Sequence, residues 1–160
     1  MIYLRLDERL LHGQVTTTWI SVLGVTHIIL ADDKVSNDTV HCQLLKMSAP
    51  KETRLLITSV EKAKKVLNDP RSRSMKILTI CSNLDDVLTL IKNVPDIKDV
   101  NLANYGFQAN QNVKEKQMLT SNLQVDGREL EIVKAIMEKK ELKVYCQVLA
   151  SQASKPIVIK

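Results

Sequence analysis

Aromatic side chains are almost missing: the chain has one tryptophan, one phenylalanine and three tyrosines in 160 residues. Proteins that hold single-stranded nucleic acid stack bases on such rings inside a basic groove. Despite a net charge of +5, the sequence therefore gives no support for a nucleic-acid partner. Its basic residues are spread along the chain, with small clusters only at Lys62-Ala63-Lys64-Lys65 and Lys139-Lys140. The core must be aliphatic. Glycine is as scarce, with four residues. Neither G-x-G-x-x-G nor G-x-x-x-x-G-K-[ST] occurs, which excludes the glycine-rich loops of nucleotide binding. No apolar run approaches the roughly 20 residues of a membrane span. The opening residues carry charges at Arg5, Asp7, Glu8 and Arg9, unlike a secretory leader. Cys42, Cys81 and Cys146 are far apart and lack metal-ligand spacing. They are expected to be reduced thiols of a cytosolic protein, most simply buried as apolar groups. His12, His27 and His41 show no ligand spacing either, so neither a metal nor an organic cofactor is expected.

The length predicts a single domain over residues 1–160. Apolar patterning predicts strands at Ile2–Leu6, His27–Ala31, Arg54–Thr58, Lys76–Cys81, Asp99–Ala103 and Leu142–Leu149, with two short ones at Met118–Thr120 and Leu123–Val125. Helical spacing fills the intervals. A first helix presents Val15, Trp19, Val22 and Leu23 inward and ends at Gly24. A second is capped by Ser36 or Asn37 and buries Val40, Leu44 and Met47. A third is capped by Ser59 and stopped at Asn68-Asp69-Pro70. A fourth is capped by Asn83, with Asp85 and Asp86 in its first turn. The last opens on the capping box Asp126/Glu129. A polar stretch runs from Asn104 to Lys116. Alternation of strand and helix predicts an α/β fold: a mainly parallel open sheet with helices on both faces. Ligands of such folds bind beyond the carboxyl ends of the strands. The sequence places the turn at Asp7–Val15 there, along with Asp32-Asp33, Ser82-Asn83 and Asn104-Tyr105.

Within that turn, Asp7-Glu8-Arg9-Leu10-Leu11-His12-Gly13-Gln14-Val15 joins a strand to a helix, a natural anion site because the first-turn N–H groups and the helix dipole both favour negative charge. The residues suit phosphoryl chemistry. A neutral imidazole at His12 is a nucleophile towards phosphorus. Arg9 offers a planar fork to phosphate oxygens. Gly13 allows close backbone approach, and the N–H groups of Gly13, Gln14 and Val15 could hold oxygens. Asp7 could orient either Arg9 or the imidazole. Taken alone, the same residues also fit a polar surface turn with a weak Asp7–Arg9 ion pair. Asp phosphorylation in a receiver-like domain, using Asp32-Asp33, is the competing reading. It requires an aspartate ending the third strand and a lysine ending the fifth, where this chain has Thr58-Ser59 and Ala103-Asn104.

Arg5-Leu6-Asp7-Glu8-Arg9-Leu10-Leu11-His12-Gly13-Gln14-Val15 resembles the R-[IL]-D-[DE]-R-L-[IL]-H-G-Q-V signature of IIB components of the bacterial phosphotransferase system, mannose/fructose/sorbose family. Trp19 matches a tryptophan that often follows, and Asp32–Asp38 with Ala49-Pro50 resemble the family's second strand, acidic turn and helix. The likeness implies that His12 accepts a phosphoryl group, on Nδ1, from a phosphorylated IIA protein or domain. It implies transfer on to a sugar entering through membrane IIC and IID components, in a cytoplasmic protein docked peripherally on that permease. Arg9 and Asp7 fall on the motif's arginine and acid. The chain departs from the family's N-V-G-G-M turn after the fifth strand, with Asn101-Leu102-Ala103-Asn104-Tyr105-Gly106 in its place.

Overall fold

A computed structural model describes residues 1–108 and 115–160, apart from the side chains of Gln14 and Val15. Residues 109–114, within the predicted polar stretch, lie outside the described residues. The strands are β1 (Ile2–Asp7), β2 (His27–Ala31), β3 (Arg54–Thr58), β4 (Ile77–Cys81), β5 (Ile97–Asn104), β6 (Gln117–Thr120), β7 (Leu123–Val125) and β8 (Lys143–Tyr145). The helices are α1 (Gly13–Leu23), α2 (Asp33–Ser36), α3 (Thr39–Ser48), α4 (Val60–Asn68), α5 (Leu84–Asn93) and α6 (Gly127–Met137), with a 3-10 turn at Pro70–Ser74.

Six strands form one parallel sheet in the order β3-β2-β4-β1-β5-β8, and β6 and β7 make a small antiparallel hairpin. Alternation along each strand divides the core between the two faces. Ile2, Leu4, Leu6, Ile29 and Ala31 pack with α4, α5 and α6 through Ala63, Leu67, Val87, Leu90 and Val133. Ile28, Leu30, Leu78 and Ile80 pack with Ile20 of α1, Val35 of α2 and Leu45 of α3. The fold is thus the single-domain α/β sheet covered on both faces that the alternation predicts. The predicted caps also form: Ser59, Asn83 and the Asp126/Glu129 box hold their helix N-termini, and Gly24 ends α1 at φ 63°.

Three expectations need correction. The second predicted helix is two: Asp32 caps the single turn of α2, and Asp38, not Ser36 or Asn37, caps α3 by accepting the N–H of His41 at 3.0 Å. Its predicted inner face is outside, with Val40, Leu44 and Met47 all exposed and only Leu45 buried. α3 lies against α2 near the β3 edge rather than across the sheet, so little apolar surface lies beneath it. In α1, Val22 is exposed while Thr16 is buried; the inward line is Thr16, Trp19, Ile20 and Leu23, spaced i, i+3, i+4, i+7. The last strand stops at Tyr145 rather than Leu149. Beyond it, the Asn101 side chain takes the Gln147 N–H at 2.9 Å, and Cys146 pairs instead with Lys155 in an antiparallel bridge.

The turn after β5 depends on Gly106, whose φ is 99° and where a Cβ would lie 2.1 Å from the Gln124 carbonyl oxygen. Gly106→Ala is expected to cost about 3 kcal/mol or more from left-handed strain plus overlap, a fall in Tm of about 6–12 °C for a chain of this size. An unchanged melting curve would show that β7 can move aside.

Candidate functional site

Strand order decides which loops meet. β1 lies beside β5, and β5 beside β8, so the segments leaving their carboxyl ends converge at one place, where open α/β sheets bind ligands.

β1 delivers Asp7 there, fully buried, with its carboxylate shared among four partners. Oδ2 accepts from Arg5 Nη2 at 3.0 Å and Nε at 3.3 Å, and pairs with His12 Nε2 at 3.1 Å. Oδ1 accepts from the Arg9 backbone N–H at 3.1 Å and from Asn104 Nδ2 at 3.4 Å. A carboxylate only accepts, so the Nε2 of a neutral imidazole facing it carries the proton and Nδ1 holds the lone pair. Of the two partners the sequence left open for Asp7, its carboxylate takes the imidazole; Arg9 contributes only its backbone.

The turn that presents His12 is held under strain. Leu10, buried, has φ 56°, a conformation costing about 1–2 kcal/mol for an ordinary residue, and its burial with Leu11, Ile20 and Leu78 offsets that cost. Its N–H bonds back to the Asp7 carbonyl at 2.9 Å. His12 occupies the N-cap position of α1 in extended backbone but does not cap with its side chain. Its backbone N–H donates to Thr16 Oγ1 at 3.0 Å, while its imidazole turns to Asp7 and is about one-fifth exposed. Gly13 begins the helix at φ 45°. Gln14 follows in the first turn; its side chain lies outside the described residues.

Arg5 was missed by the sequence reading as a site residue. It is buried in mid-strand, a position where arginine is rare unless paired. Its guanidinium bridges Asp7 to the Gln147 and Val148 carbonyls, each at 3.2 Å, and lies 5.5 Å from the centre of the Trp19 ring. Burial pulls the Arg5 pKa below its usual value, and Asp7 pulls it back up. Trp19, which on sequence alone was simple helix packing, donates to the same Val148 carbonyl at 2.8 Å. Asn101 donates to Gln147 at 2.8 Å. The segment after β8 is therefore fastened to the Asp7–His12 pair through Arg5.

Beside His12 opens a cleft of about 560 Å³, lined by Arg9, His12, Gly13, Asn104, Asn122, Val148, Leu149, Gln152 and Lys155. Arg9 is exposed there. The other sequence candidates do structural work elsewhere. Asp32 caps α2 and accepts from Ser82, while Asp33 accepts the Val60 N–H at 2.8 Å. Glu8 accepts the N–H groups of Gly106 and Phe107 at 2.9 and 3.0 Å. Cys81 and Cys146 are buried, which raises both thiol pKa values.

A shared buried acid, a histidine paired with it at a helix start and a cleft carrying Arg9 and Lys155 thus lie together at the carboxyl end of the sheet. The model of the sorbose subfamily of phosphotransferase-system IIB components matches residues 1–158, and the chain belongs to that family. It is thus a component that takes part in phosphotransfer for sugar uptake. It is 34% identical over 148 residues to a probable phosphotransferase enzyme IIB component of Streptococcus pyogenes serotype M6, covering 92% of this chain and 91% of that one. It is 30% identical over 132 residues to the mannose-specific EIIAB component of Escherichia coli, covering 82% of this chain and 39% of that one. The crystal structure of the IIBSor domain of the sorbose permease from Klebsiella pneumoniae superposes with a TM-score of 0.84 at 30% identity, covering 97% of this chain and 92% of that one. Among the described residues no helix is long and apolar enough to cross a membrane.

Proposed function

We propose that the chain is a single relay unit that carries a phosphoryl group on His12 Nδ1, taken from a phosphohistidine of a IIA partner and given to a sugar at a IIC/IID permease. The observation that carries this reading is the 3.1 Å pair between His12 Nε2 and the buried Asp7 carboxylate. It leaves Nδ1 as the nucleophilic nitrogen. The mannose-specific relative, whose name joins IIA and IIB in one protein, supports the choice of donor.

Chemically, the Nδ1 lone pair attacks phosphorus as the donor's P–N bond breaks, and that electron pair returns to the donor ring. The Nε2 proton of His12 stays on the ring, hydrogen-bonded to Asp7. The phosphorylated ring therefore gains cationic character beside a buried anion that stabilises it. Phosphoryl transfer needs positioning and charge stabilisation above all. Arg9 supplies a cation to the oxygens, and the N–H groups of Gly13 and Gln14 open the helix towards them. In the second transfer a sugar hydroxyl oxygen attacks phosphorus, the Nδ1–P bond breaks with its pair returning to Nδ1, and the hydroxyl proton is released to water. No metal or organic cofactor takes part in either step. The protein works at the cytoplasmic face, docked on the permease.

Intact-mass spectrometry tests this directly. After incubation with phosphoenolpyruvate, the general phosphotransferase proteins and a mannose-family IIA, the chain is expected to gain one phosphoryl group. The group should be lost in acid and kept in base. A base- and hydroxylamine-sensitive adduct would instead mark an acyl phosphate on aspartate. An active IIA that transfers nothing to the folded chain would refute the relay.

A further inference from the structure

The cleft beside His12 has a charge pattern that the Asp7–His12 pair does not explain. Among the described residues its charged lining consists of Arg9 and Lys155, with no acid. A second cleft, which shares the Glu8–Leu10 turn, carries four acids, Glu8, Asp32, Asp33 and Asp86, against one lysine, Lys34. Lys155 lies 143 residues from His12 in sequence and reaches the cleft because the chain after β8 turns back. Its backbone is fixed by two hydrogen bonds to Cys146, at 3.1 and 2.7 Å, and Ile157 just beyond is buried in the core. Its exposed ammonium donates to the hydroxyl of Ser121, a neutral partner, and among the described residues makes no ion pair. An anchored backbone and an uncompensated cation at a cleft rim suit a doubly charged guest.

We propose that Lys155 is a second phosphate-binding residue of this site, its ammonium leaving Ser121 to contact the phosphoryl oxygens of phospho-His12 together with Arg9. The inference rests on the relay reading above. A dianion held by one exposed arginine would be half compensated; Lys155 supplies the second positive charge from a separate element. Asn104, Asn122 and Gln152 add neutral amide donors around the same cleft.

The test compares the parent, Lys155→Met and Lys155→Arg, each phosphorylated through the mannose-family IIA. Two quantities are measured: the pH midpoint of the last phosphoryl ionisation, from the 31P shift of phospho-His12, and the rate of transfer from IIA. A nearby cation favours the dianion, so its removal raises the midpoint. Lys155→Met is expected to raise it by about 0.5–1 pH unit and to slow transfer about 10–100-fold, the effect of losing one charge-assisted hydrogen bond. Lys155→Arg should restore both. Methionine keeps the unbranched stem of the side chain, one atom shorter, and the Cys146 bridge uses only backbone, so the fold should be retained, as the amide spectrum will show. An unmoved midpoint in Lys155→Met would overturn the assignment, even if transfer slowed, because slowing alone would place Lys155 at the partner interface. A parent that takes up no phosphoryl group overturns the relay reading and this inference with it.

Discussion

His12→Gln is expected to take up no phosphoryl group under conditions that load the parent fully, while melting within a few degrees of it. The first half follows from chemistry: the amide nitrogen of glutamine has its lone pair delocalised into the carbonyl and is no nucleophile, and no second histidine lies at the site. His27 bonds its neighbour Thr26 at the opposite end of β2, and His41 lies exposed on α3. The second half follows from the connections of Asp7. Losing the imidazole removes one partner, but Arg5, the Arg9 N–H and Asn104 still hold the carboxylate. The cost is that of one hydrogen bond to a charged group, about 1.5–3 kcal/mol, further reduced because His12 is partly open to solvent. Intact mass reads the first quantity and calorimetry the second. Full loading of the variant would move the phosphorylated residue elsewhere. Loss of loading together with a collapse of Tm would mean that His12 supports the fold, and the chemistry would then need a gentler probe.

Much of the candidate site is legible in the sequence because it is local. Asp7, Arg9, His12 and Gly13 fall within seven consecutive residues, and strand-to-helix turns carry their chemistry in sequence order. Helix caps were legible for the same reason: Ser59, Asn83 and the Asp126/Glu129 box act over three residues. What sequence reasoning missed depends on strand order, which no local pattern encodes. Gln147 and Val148 meet Arg5 only because β8 is placed beside β5, two strands from β1. Arg5 itself, in an alternating strand, carried no mark of burial. The stripe Val40, Leu44, Met47 has the spacing of a buried face and is exposed, because spacing records which residues share a side and not what lies against it. Thr16 shows the converse: a polar residue takes an inward position because its hydroxyl receives the His12 N–H.

Asp7→Asn keeps the shape of the side chain and changes one charge, and it is expected to slow phosphoryl transfer by about 10–100-fold, the scale of a hydrogen bond losing its charge. The asparagine oxygen takes the Oδ2 position, because arginine can only donate. Arg5 and His12 share that position, so Nε2–H keeps an acceptor and Nδ1 keeps its lone pair. The amide NH₂ takes the Oδ1 position, where it faces the Arg9 N–H and Asn104 Nδ2, both donors. Imidazole 15N shifts should therefore report Nε2–H in variant and parent alike, so that what the variant loses is charge. The phosphorylated ring also loses the anion beside it, so the adduct should form less completely at equilibrium as well as more slowly. Stability falls too. Arg5 is almost wholly buried, with Asp7 as its single carboxylate partner among the described residues, and removing the charge of one member of such a pair costs about 3–5 kcal/mol. The Gln147 and Val148 carbonyls remain as acceptors, which places the expected loss at the lower end, about 6–12 °C in Tm at this chain length. Rate and stability can be separated by measuring transfer well below the melting transition. A variant that transfers at the parent's rate with its tautomer unchanged would remove Asp7 from the chemistry and leave it a fold residue. A variant that is slow and shows Nδ1–H would assign part of Asp7's contribution to fixing the tautomer.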